Sequence, residues 1–211
     1  MRPSRNPASS LNGRSVSRAL MVLALAAATA GCVSFGGKAP PRLLTIASDV
    51  KAPAGVASTT PSAKAIFVDV PSVPKALATP RVAVRESSTA FAYVKDAIWV
   101  DLPARQFQSL LAETIRVRSN RLVLDPDQYL ASSGHILKGD LTEFGIDAST
   151  NQAVVTYDAS IRSPNGDTVT HQRFTASVPI GKVDADTVAS PINQAANQVA
   201  IAVADWIKTQ P

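Results

Sequence analysis

One cysteine, two histidines and few aromatic residues in 211 positions set the first limits on what this chain can do. With Cys32 alone there is no intramolecular disulfide and no thiolate metal site. His135 and His171 have no His, Cys or Glu at ligand spacing, so no metal is expected. The chain lacks a G-x-S-x-G turn, a G-x-G-x-x-G fingerprint and a phosphate-binding loop, and so lacks the familiar signatures of a nucleophilic triad or a nucleotide site. No catalytic residue and no cofactor are expected, and the chain does not read as an enzyme. Acidic residues are missing from the first 31 positions, where Arg2, Arg5, Arg14 and Arg18 stand alone. The formal charge of +5 therefore belongs mainly to that leader, since removing the four arginines leaves 17 basic side chains against 16 acidic ones. A near-neutral body gives no support for nucleic-acid binding, which needs a clustered basic face.

What is present begins with the stretch RALMVLALAAATAGC, from Arg18 to Cys32. A basic n-region, a short apolar h-region and small residues before a cleavage site make a secretory signal. The apolar run from Ala19 to Ala30 is shorter than the roughly 20 residues a bilayer-spanning helix needs. The pattern resembles the bacterial lipobox of envelope lipoproteins, with Thr29 where Leu is usual. That resemblance implies cleavage before Cys32 and acylation, palmitate included, at its thiol and new amino terminus. Residues 1–31 are then the signal peptide. Residues 32–63 read as a lipid-anchored tether, a first strand at 43–46 and a flexible linker, because Gly36-Gly37, Pro40-Pro41 and the Ala/Ser/Thr/Pro-rich run after Ala47 offer little to bury.

Residues 64–211 form the expected body. Ile66, Val68 and Val70 alternate with Phe67 and Asp69, and residues 80–85 make a second strand. Residues 91–100 form a further β segment, whose Lys95-Asp96 centre suggests either a turn within a hairpin or an edge strand. Asp101 and Pro103 start a helix whose Phe107, Leu110, Leu111 and Ile115 share one face. Residues 121–124 read as a short strand, followed by a turn at Asp125-Pro126-Asp127. Residues 135–146, 155–162 and 168–178 read as an antiparallel meander, with a bulge near Thr142-Glu143 and a hairpin turn at Ser163-Pro164-Asn165-Gly166-Asp167. A last helix, capped at Ser190-Pro191 or, with an earlier start, at Asp184 or Asp186, carries Ile192, Ala195, Ala196, Val199, Val203 and Trp206 on one stripe. The fold class is α+β: one domain, a mainly antiparallel sheet with two helices packed on it. Asp140, Glu143 and Asp147 read as a solvated edge.

Three segments together carry a family resemblance: Ile66-Phe67-Val68-Asp69-Val70-Pro71, Leu137-Lys138-Gly139-Asp140-Leu141-Thr142-Glu143-Phe144, and the Ala/Gln/Asn-rich helix closing in Asp205-Trp206. With the lipobox before them, they resemble the ABC-type transport auxiliary lipoproteins, the PqiC-like components of MCE (mammalian cell entry) transport systems. The resemblance implies an outer-membrane lipoprotein on the periplasmic face. Its partners would be a periplasmic MCE-domain protein and the inner-membrane ABC permease and ATPase of the same system, and its cargo a lipid. Val33, where an aspartate would signal inner-membrane retention, agrees. The alternative class is a structural or regulatory envelope lipoprotein, such as an activator of a peptidoglycan synthase or of a secretion machine. The individual site residues expected are Cys32 for lipidation and, for partner binding, Phe91, Tyr93 and Trp99, whose plainer alternative is to pack the sheet against the first helix. Ile201 and Ile207, off the main helix stripe, are expected at a contact in a homo-oligomeric collar.

Overall fold

The computed structural model of the chain describes residues 43–55, 59–124 and 134–210. The expected signal peptide, Cys32, the expected tether and the turn expected at Asp125-Pro126-Asp127 lie outside the described residues. Within them run eight strands and two α-helices: β1 (Leu43–Leu44), β2 (Ile66–Val68), β3 (Arg81–Arg85), β4 (Phe91–Trp99), α1 (Pro103–Ser119), β5 (Val123–Leu124), β6 (His135–Asp147), β7 (Gln152–Arg162), β8 (Val169–Pro179) and α2 (Ala189–Lys208). The class is α+β, with two helices on one mixed, mostly antiparallel sheet.

β6 is the spine. One of its edges pairs antiparallel with β7 over its whole length, and β7 pairs in turn with β8. The other edge is shared in parallel register by β2 along residues 135–137 and by β3 along residues 145–147. Between them, Ser72 bridges Asp140. β4 lies antiparallel to β3, and β1 and β5 close the ends by parallel pairing to β4 and β2. The bulge expected at Thr142-Glu143 is there, as a register shift between Leu141 and Glu143. It reverses the phase of β6, so that Leu137 and Leu141 before it and Phe144 and Ile146 after it all reach the core.

Directly paired residues point to the same side of a sheet, so register sorts the faces. One face carries Leu137, Leu141, Phe144 and Ile146 beside Ala153, Val155, Tyr157 and Ile161, all buried under the helices. Pro103 occupies the first helical position of α1, where its missing N–H costs nothing, and Phe107, Leu110, Leu111 and Ile115 are buried along one stripe. The chain leaves α1 through Asn120, in the left-handed region at φ 54°. Asp101 does not close α1: its carboxylate accepts the N–H of Leu102, and the residue preceding the helix is Leu102 itself. In α2 the buried positions are mostly Ala and Val, so the helix axis approaches the sheet closely. Arg118 of α1 pairs with Asp205 of α2 at 2.9 Å. The aromatic centre is a chain of tilted rings, Trp99 to Phe144 to Phe107 to Tyr157, with centroids 5.3 to 6.4 Å apart. Each such buried ring contributes about 1.5–3 kcal/mol of burial energy. Gly139 makes room for one of them, since a Cβ there would sit 2.6 Å from the Tyr157 ring and 2.3 Å from the Asp158 carbonyl oxygen.

Two expectations change. Lys95-Asp96 is not a turn: β4 is continuous, and Asp96 at φ 59° is a bulge that absorbs extra residues against β3. The stretch after Ile46 is not free linker at its start. The N–H of Ala47 donates to Asn193 at 2.8 Å, the N–H of Asp49 to Asn197 at 2.9 Å, and the N–H of Ala52 to Glu113 at 2.6 Å. Residues 47–52 are thus a strap bound to both helices, held by side-chain amides and a carboxylate where composition suggested only solubility.

Candidate functional site

The face of the sheet away from the helices is laid out in cross-strand rows. Leu43, Ile98 and Arg81 form one row across β1, β4 and β3. Tyr93, Ala83, Gly145 and Val154 form a second. Phe91, Arg85, Asp147 and Gln152 form a third. In the second row Ala83 and Gly145 are adjacent and nearly bare. A hollow of about 120 Å³ opens over them, walled by Leu77, Phe91 and Val154 and edged by Arg85, Glu143 and Asp147. Gly145 is obligatory, because a Cβ there would lie 2.3 Å from the Ala83 carbonyl oxygen.

The polar edge is one connected network. Arg85 Nη2 donates to Asp147 Oδ2 at 2.6 Å, and its Nη1 pairs with Glu143. The second Glu143 oxygen accepts from the Thr156 hydroxyl at 2.6 Å. The second Asp147 oxygen accepts from the Ser149 hydroxyl at 2.6 Å and from its N–H at 2.9 Å. The Ser149 hydroxyl, and next the Arg85 guanidinium, hold the Asp147 carboxyl down at about 2. The same hydrogen bond to Asp147 raises the Arg85 guanidinium further above its usual value. The cluster sets two carboxyl groups against one guanidinium. Among the described residues no set of three metal-type ligands converges. The arrangement is an apolar hollow with an acidic rim.

The expected site residues divide. Phe91 is 54% exposed beside the hollow. Tyr93 is half-buried; its hydroxyl donates to the Ala76 carbonyl at 3.2 Å, and the Arg81 guanidinium stacks 4.1 Å from its ring centroid. Trp99 is a correction. It is 1% exposed and packs on Phe144, because β4 turns its side chain to the helix face with Leu44. Ile207 is also corrected: it is fully buried, four residues after Val203 and on the same stripe. Trp206 is the one left half-buried, stacked on Phe174 at 5.5 Å. Ile201 is half-buried. Asp147, expected at a solvated edge, is 8% exposed, and with Glu143 it belongs to the Arg85 network. Arg85 was missed. Alternation in residues 81–85 sets Arg81 and Arg85 opposite Val82 and Val84, but nothing local says which carboxylates a parallel neighbour brings.

A model of the ABC-type transport auxiliary lipoprotein component matches residues 47–204. The chain belongs to that family. The match begins at the strap and ends in α2, so it takes in every strand but β1, the hollow, α1 and most of α2. The fold of this auxiliary lipoprotein is shared by a crystal structure of a Xanthomonas campestris protein of the DUF330 family, 19% identical, with a TM-score of 0.62 over 78% of this chain and 92% of that one. It is shared too by a crystal structure of an uncharacterized protein, 17% identical, with a TM-score of 0.60 over 68% of this chain and 92% of that one. No curated protein matches the sequence. The family is a transport component and not a family of enzymes. No helix among the described residues is long and apolar enough to cross a membrane.

Proposed function

We propose that this auxiliary lipoprotein is anchored through acylated Cys32 to the periplasmic face of the outer membrane, and that it docks the periplasmic MCE protein of an ABC/MCE-type lipid transport system there. The observation that carries the reading is the family match over residues 47–204, which takes in the described body from the strap to α2. The leader supports the anchor, since its one cysteine stands where the lipobox requires it. Energy for transport comes from the partner ATPase, and the cargo passes through partner subunits. The docking surface on this reading is the open sheet face at the hollow, where Phe91 offers an exposed ring above two carboxylates. An exposed aromatic ring beside charged groups is a composition found at protein interfaces. A basic side chain of the partner, its stem on Phe91 and its charge on the Glu143–Asp147 rim, matches that chemistry.

The test is photo-crosslinking in cells from an unnatural residue at Phe91, with the same residue at Val183, also exposed, as reference. A Phe91-specific adduct with an MCE-domain protein is the expected result. An adduct with a cell-wall synthase or a secretion component, and none with MCE or permease subunits, would replace this reading with the regulatory one.

A further inference from the structure

The row Leu43–Ile98–Arg81 lies at the opposite end of β4 from Phe91, and the hollow does not use it. Leu43 is 53% exposed and Val100, just past β4, is 56% exposed. The two are neighbours through the Val100 N–H bond to the Leu44 carbonyl at 2.8 Å. Arg81 closes the row, its guanidinium already stacked on Tyr93. Around Val100, a shallow groove between the strap and α1 carries Lys51 and Arg105, with Asp101 and Glu113 the acidic groups lining it. Glu113 is held by Arg116 and by the N–H of Ala52. Exposed aliphatic side chains with several cations on one edge are a composition that settles at a lipid headgroup boundary.

The place of this edge in the chain decides its occupant. Leu43 is where the described body begins, and only ten residues, Val33 to Arg42, separate it from Cys32. Fully extended, they reach at most roughly 35 Å. We infer that the β1 edge, with Leu43, Ile98, Val100, Arg81 and Arg105, rests on the phospholipid headgroups of the membrane that holds the anchor. The acyl chains set the distance and this edge sets the orientation, leaving the far end of β4, with Phe91 and the hollow, free for a protein. The inference rests on the acylation of Cys32.

Acylation also supplies the test. It blocks the only natural thiol, so Val100→Cys and Val169→Cys each give the full-length lipidated protein one free thiol. Val169 is 64% exposed on β8 and serves as the distant reference. Each variant is labelled with a small fluorophore, reconstituted in phosphatidylethanolamine–phosphatidylglycerol vesicles, and quenched with headgroup-nitroxide lipid. Severalfold stronger quenching at position 100 than at position 169 is expected, lessened by Leu43→Ser together with Arg81→Gln. Equal quenching in protein that floats with the vesicles overturns the seat while leaving the anchor intact. Protein that does not float overturns the anchor and this inference together. A label at position 100 that escapes lipid quenching, and is shielded only when an MCE-domain protein is added, assigns the edge to a protein partner instead.

Discussion

Replacing Asn197 with Ala tests whether the strap is part of the fold. Asn197 is 2% exposed in the middle of α2. Its side-chain oxygen accepts the N–H of Asp49 at 2.9 Å, and its amide nitrogen donates to the carbonyls of Ala47 and of Asn193, both at 2.9 Å. The alanine variant releases one donor and one acceptor of the strap backbone. Buried and orphaned, each would cost about 1–3 kcal/mol. Ala47 and Asp49 are exposed residues, however, so the freed groups reach water and the lower figure applies. Two net bonds at about 1 kcal/mol each give a loss of about 2 kcal/mol. For a body of this size that lowers Tm by about 4–8 °C. It also raises the open population of the strap by about 30-fold, and trypsin reads this directly because Lys51 lies within it. Asn193→Ala removes the bond to the Ala47 N–H from a half-buried position and is expected to cost less than half as much. A Tm within 1 °C of the parent, with unchanged cleavage at Lys51, would refute the reasoning and return residues 47–52 to free linker.

Three further outcomes follow from the open face and the leader. Asp147 titrates at about 2 in the folded chain, below its ordinary 3.8, so its stabilisation is complete above pH 4 and is lost as pH falls from about 4 to about 2. Asp147→Asn is expected to cost about 2 kcal/mol at pH 7 and almost nothing at pH 2, measured as urea midpoints at both pH values. Gly145→Ala drives a Cβ against the Ala83 backbone and is expected to cost about 1–3 kcal/mol, seen as a lower denaturation midpoint with unchanged m. Cys32→Ser is expected to leave the Tm of the body unchanged and to move the protein from the membrane pellet to the periplasmic extract, since each lost acyl methylene removes about 0.8 kcal/mol of partition energy.

Most of the architecture is legible because its signals are local. Alternation along residues 155–162, the hairpin turn around Asn165-Gly166 and the 3–4 spacing of α1 are each properties of ten or fewer neighbouring residues. Even the β6 bulge shows locally, as a phase change that two buried faces cannot both accept. What stays hidden depends on which strands become neighbours. β2 and β3 share one edge of β6 by parallel pairing, and no turn in the sequence announces such a connection. That pairing sets Arg85 against Asp147 and leaves Ala83 beside Gly145. The hollow and its network were therefore out of reach of reasoning that could place each of their residues on a strand.

The partner residues show the same limit from the other side. Phe91, Tyr93 and Trp99 stand close together in sequence, and their clustering suggested a common surface. β4 separates them by its bulge: Phe91 and Tyr93 go to the open face, while Trp99 goes to the core with Val94 and Ala97. A strand without the bulge would keep positions 91, 93 and 99 in one phase. The positive φ of Asp96 is thus what converts a three-residue aromatic patch into a two-residue surface and a core ring. The same bulge carries the strand on to Ile98 and the β1 edge. One irregular residue therefore divides β4 into an aromatic end at the hollow and an aliphatic end where the tether arrives. Both the docking reading and the membrane-seat reading depend on that division.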